Sequence, residues 1–288
     1  MKFLKLLFIA PVLFFVFLVS TTPFSGCKKE VTHDTVIVKH DTTIIKHDTL
    51  VKTDSIYDIT EGLVAYYNFN GGTVKDSSGY NNHIVYNNAT VTADRFGRAG
   101  NAYLFNGSSS YMRVANSASL NPNSITLQAI VKINSFLIAS CHINNIIGKG
   151  WPDYANGWSV LRFADPLPCG GANAVDSAHE YFYGAFGDNN PGGTGTYSQP
   201  DTIAAKTGIW YTLTYTYDGM VSKFYINGVL KDSRIKTAIY TPNSNDIFIG
   251  KYEDPSWPYW FSGVIDDVRI YNRALGQGAV TQLYKLNK

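Results

Sequence analysis

From residue 61 onward, apolar and polar residues alternate in short stretches. Ile125-Thr126-Leu127-Gln128-Ala129-Ile130-Val131-Lys132-Ile133 and Trp210 to Tyr217 keep a period of two, which places successive side chains on opposite faces of an extended chain. Leu63 to Phe69, Ala102 to Phe105, Tyr111 to Val114, Ile247 to Ile249 and Val264 to Tyr271 are further strand-like runs. Turn formers separate them: Asn70-Gly71-Gly72, Asp76 to Asn82, Asn106-Gly107, Asp218-Gly219 and Asn227-Gly228. Trp210 to Tyr217, then Asp218-Gly219, then Lys223 to Ile226 predict a hairpin. Only Ala279 to Leu286 has a helical look, as a short C-terminal cap. Many short strands with Gly and Asn turns predict an all-β, two-sheet antiparallel jelly-roll sandwich over residues 61–288.

The first sixty residues follow different rules. Lys2 and Lys5 precede a nearly continuous apolar run from Leu6 to Val19, short for a membrane span but suited to the apolar region of a signal peptide. Residues 1–26 are therefore read as a signal peptide. Phe24-Ser25-Gly26-Cys27 resembles the lipobox of bacterial lipoproteins, departing at Phe24 where Leu or Val is usual. Cys27 is the expected lipidation site; the alternative is an ordinary secretory cleavage nearby. Either reading puts the mature protein outside the cytoplasm, lipid-anchored in the cell envelope (at the outer membrane or cell surface) or secreted. Residues 27–60 hold a repeat: His33-Asp34-Thr35-Val36-Ile37-Val38-Lys39, His40-Asp41-Thr42-Thr43-Ile44-Ile45-Lys46 and the shorter His47-Asp48-Thr49-Leu50-Val51-Lys52. Adjacent apolar residues do not make a coiled-coil seam, and β-branched runs weaken a helix. The segment reads as an extended spacer reaching on the order of 100 Å, with self-association through its Val/Ile runs as the rival.

Composition narrows the function. Hydrophobic residues make up 45% of the 288 and aromatics 14%, enough for a packed core and too many for disorder beyond the N-terminal segments. The net charge of +2 offers no electrostatic case for nucleic acid. Of the three cysteines, Cys141 and Cys169 remain once Cys27 is set aside. In an oxidising compartment they can pair, which for a loop of this size contributes about 3 kcal/mol by chain entropy; the alternative is two free thiols.

Several blocks in order carry a resemblance. They are Gly62-Leu63-Val64-Ala65-Tyr66-Tyr67-Asn68-Phe69, Asp76-Ser77-Ser78-Gly79, Asp94-Arg95-Phe96-Gly97, Phe105-Asn106-Gly107, Thr216-Tyr217-Asp218-Gly219, Tyr225-Ile226-Asn227-Gly228-Val229 and Gly263 to Leu275. Together they resemble the laminin-G-like jelly roll of bacterial surface proteins, within the concanavalin A-like lectin and glucanase group. The resemblance covers residues 61–288 and implies two antiparallel sheets packed face to face. Trp158 and Trp210 match core positions of that family. The resemblance also implies calcium as the expected metal, near the start of the last strand. Asp266, in phase with Val268 and Ile270, and Asp76, in the loop after the first strand, are the candidate ligands. The competing reading has Asp76 capping a turn and Asp266 paired with Arg269 or another base.

Some relatives with this fold are glycoside hydrolases, which need two carboxylates across the scissile bond. The chain has four glutamates, Glu30, Glu61, Glu180 and Glu253, none close to another in sequence. Asp266 and Asp267 are adjacent, and strand alternation predicts that they point to opposite faces. His142 and His179, candidates for lyase-type chemistry, lack a partner pattern. A noncatalytic binding module is therefore expected, with carbohydrate as the ligand and protein adhesion or a structural role in a surface assembly as the alternative. Trp257, Tyr259 and Trp260, in the aromatic and proline-rich stretch Asp254 to Phe261, are the first ligand candidates. Trp151 and Tyr154 in Trp151-Pro152-Asp153-Tyr154 form the second group. Flat aromatic faces suit the C–H faces of sugars, and proline keeps such a platform rigid. Phe261 is expected in the core. Residues 165–200, rich in Gly, Asn, Pro and Ala, read as one long loop.

Overall fold

A computed structural model describes residues 43–46, 49–52, 56–136, 143–150, 159–164, 181–186, 196–197, 205–235 and 242–287. The chain forms two compact units, one ending at Thr53 and one beginning at Asp54. In the first, β1 (Thr43–Lys46) pairs antiparallel with β2 (Thr49–Lys52), Thr43 opposite Lys52 and Lys46 opposite Thr49. This stretch of the expected spacer is folded back on itself, which shortens its reach. Two β-branched runs two residues apart have the spacing of a hairpin.

In the second unit the strands are β3 (Leu63–Tyr67), β4 (Ile84–Asn87), β5 (Thr90–Thr92), β6 (Ala102–Asn106), β7 (Met112–Val114), β8 (Ile125–Ser135), β9 (Asn144–Lys149), β10 (Ser159–Ala164), β11 (Tyr181–Phe186), β12 (Thr196–Tyr197), β13 (Trp210–Tyr217), β14 (Val221–Ile226), β15 (Val229–Ile235), β16 (Ile247–Ile249) and β17 (Ser262–Tyr271), followed by helix α1 (Gln277–Leu286). One antiparallel sheet runs β12-β11-β10-β9-β16-β7-β4 and the other β15-β14-β13-β8-β17-β6-β5, with β3 also on β17. A single core lies between them, including Leu127, Ala129, Val131 and Ile133 of β8, Leu213, Tyr215 and Tyr217 of β13, and Ile147, Leu161, Phe182, Phe186, Ile247 and Ile249 of the other sheet. The period of two in β8 and β13 is the cause: each gives every second residue to the core.

The outer face of the larger sheet is covered too. Tyr225 and Tyr271 pack with Leu275, Ala279, Val280 and Leu283 of the α1 region, joined by Tyr57, Ile59 and Leu63. The Tyr57 backbone N donates to Gln282 Oε1 and Gln282 Nε2 donates to the Tyr57 carbonyl, both at 2.8 Å. Tyr57 and Ile59, on the stalk side of the expected boundary, thus belong to the globular unit.

Residues 165–200 are not one loop. Tyr181–Phe186 is a strand paired with β10 and β12, and Phe182 and Phe186 lie in the core. Gly184 sits between them because Tyr215 of the facing sheet fills the space a side chain would need. Gly184 and Ala185 interrupt the aromatic run and obscure its strand signal.

Candidate functional site

The segment from Gly250 to Phe261 joins β16 to β17 and closes like a hairpin. Phe261 N donates to the Gly250 carbonyl (2.9 Å) and Tyr252 N to the Pro258 carbonyl (2.5 Å). It is fixed to the sheet where Gly250 N donates to Ile146 O and Asn145 N to Tyr259 O, each 2.8 Å. Gly250 has φ +84° and lies against the Phe105 ring, so neither the conformation nor the space admits another residue.

The segment alternates like the strands it joins. On one side, Lys251 and Trp260 meet the outer face of the smaller sheet at Tyr111 and Phe248. Tyr111 lies 5.9 Å from Phe248 and 6.2 Å from Trp260 between ring centroids, and Tyr86 stacks on it at 4.6 Å. Register explains the row, since Arg113 of β7 is opposite both Phe248 of β16 and Tyr86 of β4. Ile247, Ile249, Met112 and Val114 take the core-facing positions, so Phe248 and Arg113 face outward. Arg113 is held by Asp246 at 2.6 Å. Lys251 Nζ lies 4.8, 5.0 and 5.4 Å from the Tyr111, Phe248 and Trp260 centroids. Among the described residues no carboxylate lies within 4.0 Å of it. Partial burial lowers the Lys251 pKa, with Glu253 and Asp254 acting in the opposite direction.

On the other side, Tyr259 packs between Tyr252 (6.1 Å) and Trp257 (6.4 Å). Tyr259 is only 8% exposed, whereas Trp257 is 44% exposed. Tyr259, one of the ligand candidates, is thus a buried ring, at a φ of +43°, stacked against Trp257 as its support. Trp260 is partly exposed, and Phe261 is buried in the core as expected. Trp210 is half-buried rather than central, with Lys132 Nζ 5.2 Å from its ring. Trp151, Tyr154, Trp158, His142, His179, Cys27, Cys141 and Cys169 lie outside the described residues. Tyr86, Tyr111, Phe248 and Lys251 escape a reading by loops because they sit on or beside strands. Ile247-Phe248-Ile249 did hold a signal, since an aromatic between two core residues must face out.

The two candidate metal ligands are occupied by protein donors. Asp76 Oδ1 accepts from the backbone N of Tyr66 and of Ser78, and Oδ2 from Ser78 Oγ and the backbone N of Asn82, all within 2.9 Å. It ties a turn, and four donors use its acceptor capacity. Asp266 Oδ2 accepts from Arg95 Nη1 (2.5 Å) and Arg95 N (3.1 Å). This donor set does not fit calcium, which needs several free oxygens converging on one point. Among the described residues no three His, Cys, Asp or Glu side chains form a metal-sized group.

Asp267 is a correction. Its Oδ2 also meets Arg95 Nη1, at 3.1 Å, so both carboxylates face one guanidinium. Pairing between β17 and β8 shifts register between Ile265 and Asp267, and this bulge breaks the alternation. It falls where β6, paired through Ile265, gives way to β3, paired from Val268, and Arg95 enters there. Burial raises the Asp266 pKa, Arg95 counteracts this and Asp267 adds to it. Arg269 donates from Nη2 to Tyr66 Oη (2.8 Å) and from Nη1 to Gln128 Oε1 (3.1 Å), and its Nη2 also lies 4.0 Å from Asp267 Oδ2.

Two packed antiparallel sheets with an aromatic row on an outer face define a lectin-like β-sandwich. The chain belongs to the laminin-G-like family described as the concanavalin A-like lectin/glucanases superfamily, which it matches over residues 106–281. No curated protein matches it in sequence. Domain 4 of AbnA, an extracellular arabinanase of glycoside hydrolase family 43 from Geobacillus stearothermophilus, solved in complex with arabinotriose, is similar at 22% identity and a TM-score of 0.53, over 77% of this chain and 98% of that one. The receptor-binding domain of botulinum neurotoxin mosaic serotype C/D is similar at 17% identity and 0.57, over 79% of this chain. A botulinum neurotoxin type C structure, from work showing that cell entry depends on two ganglioside molecules, is similar at 15% and 0.58, over 80% of this chain. This chain spans about half the length of those two neurotoxin chains (51% and 52%). At these identities the likeness concerns the fold.

Proposed function

We propose that this protein is a noncatalytic, glycan-binding surface module. The row Tyr86–Tyr111–Trp260, with Trp257 on the neighbouring loop tip, carries the reading. These rings are partly exposed, fixed on strands or on a tied loop, and offer flat faces for sugar C–H groups. The arabinotriose complex of one structural neighbour and the ganglioside dependence of another support a glycan as ligand. Catalysis by the adjacent carboxylates is disfavoured, because Asp266 and Asp267 are buried and both bound to Arg95. The signal-like start and Cys27 support export and lipid anchoring in the cell envelope, testable by mass spectrometry of the purified protein for a diacylglyceryl Cys27. Calcium has no part in the proposed recognition. Protein adhesion is the second reading, favoured by the edge strand β15, where Val229, Leu230 and Ile235 are exposed. A glycan screen of the full chain separates the two. Selective glycan retention that Tyr111→Ala abolishes supports the first reading, and retention unchanged by Tyr111→Ala and Trp257→Ala rejects this site.

A further inference from the structure

We infer that the aromatic row takes an anionic glycan, with Lys251 receiving its carboxylate or sulfate group. The inference rests on the proposed glycan site and adds its chemical class. Among the described residues, Arg113 and Lys251 are the cations of the row. Arg113 is neutralised by Asp246, whose other oxygen accepts from Asn116 N at 2.9 Å. Lys251 has three rings within 5.4 Å and, among the described residues, no carboxylate within 4.0 Å. Ring faces attract an ammonium but do not accept its three N–H donors as oxygen does. The row therefore holds a positioned, partly desolvated ammonium whose donors remain for an incoming acceptor. A sugar ring lying on Tyr86, Tyr111 or Trp260 brings its substituents to this group. A neutral sugar offers hydroxyls, whereas an acidic one offers a charge-assisted bond in a partly water-excluded place.

The full chain in mild detergent is tested by calorimetry against oligogalacturonate, a sulfated glucan and the unmodified neutral glucan. The expected result is at least tenfold tighter binding of an acidic glycan than of the neutral one. Lys251→Met removes that preference, Lys251→Arg keeps most of it, and added salt weakens it. Retention of only one acidic glycan identifies the group as carboxylate or sulfate. Equal affinity for neutral and acidic glycans, or an acidic preference that Lys251→Met leaves intact, overturns the inference while the glycan reading stands. No binding to any of the three overturns both. Far-ultraviolet dichroism of each variant confirms folding, and Lys251→Arg gives a result even if Lys251→Met does not fold.

Discussion

Replacing Arg95 with leucine leaves Asp266 buried without a cation and Asp267 with only the Arg269 guanidinium, 4.0 Å away. The Asp266 and Asp267 side chains are 4% and 7% exposed, and Arg95 Nη1 lies 2.5 and 3.1 Å from them. Removing one partner of a buried ion pair costs about 3–5 kcal/mol, here because the Asp266 charge is left with neither water nor a counter-ion. The bond from Arg95 Nε to the Asn287 carbonyl (2.8 Å) adds about 1 kcal/mol, while the backbone bond from Arg95 N to Asp266 survives. A loss of about 4 kcal/mol is expected, a large share of the 5–15 kcal/mol typical of a domain. Urea unfolding at pH 7 measures it. Burial already holds the Asp266 carboxyl above its ordinary range, and losing Arg95 raises it further. A folded value above the unfolded one gives stability that is present at low pH and lost as pH rises through the folded value. The deficit of Arg95→Leu should therefore shrink as pH falls from 7 towards 4. Adding Asp266→Asn and Asp267→Asn to Arg95→Leu should restore most of the loss. A deficit below about 1 kcal/mol, or one independent of pH, refutes the bulge-centred account.

Other changes probe the rest of the structure. Gly184→Ala, which pushes a methyl into the Tyr215 ring, should cost about 1–3 kcal/mol in the same unfolding assay. Tyr259→Ala should cost about 3 kcal/mol as a buried ring is lost, whereas Trp257→Ala should cost under about 1 kcal/mol and act on binding. Lys149 is buried, donates to Asn243 Oδ1 at 2.5 Å and is lowered by burial from 10.5 to about 8. Between pH 8 and 10 the unfolded chain holds that proton and the folded one does not, so stability should rise with pH relative to Lys149→Met.

The sandwich was legible wherever one face of a strand is apolar and the other polar, as in β8, and both Trp210–Tyr217 and Ile247–Ile249 match the predicted runs. It was hidden where apolar and polar residues do not alternate or where a glycine stands on the core side. In β9, Asn144-Asn145-Ile146-Ile147-Gly148-Lys149 is buried throughout and shows no period. A bulge lets both Ile146 and Ile147 reach the core. β11 carries Gly184 because of a residue on the opposite sheet, which local sequence does not reveal. The site was half legible for a related reason. Aromatic clustering in sequence drew notice to Trp257, Tyr259 and Trp260, but strand register assembles Tyr86, Tyr111 and Phe248 from segments far apart. Alternation failed at Asp266 and Asp267 because a bulge depends on how three neighbouring strands end along β17.

The most direct test is a glycan-array screen of the full chain beside Tyr111→Ala, each run with calcium and with chelator. Reproducible binding to one glycan class is expected, lost in Tyr111→Ala and unchanged by chelator. Absence of glycan binding under both conditions, or binding that Tyr111→Ala leaves intact, would contradict the proposed glycan site.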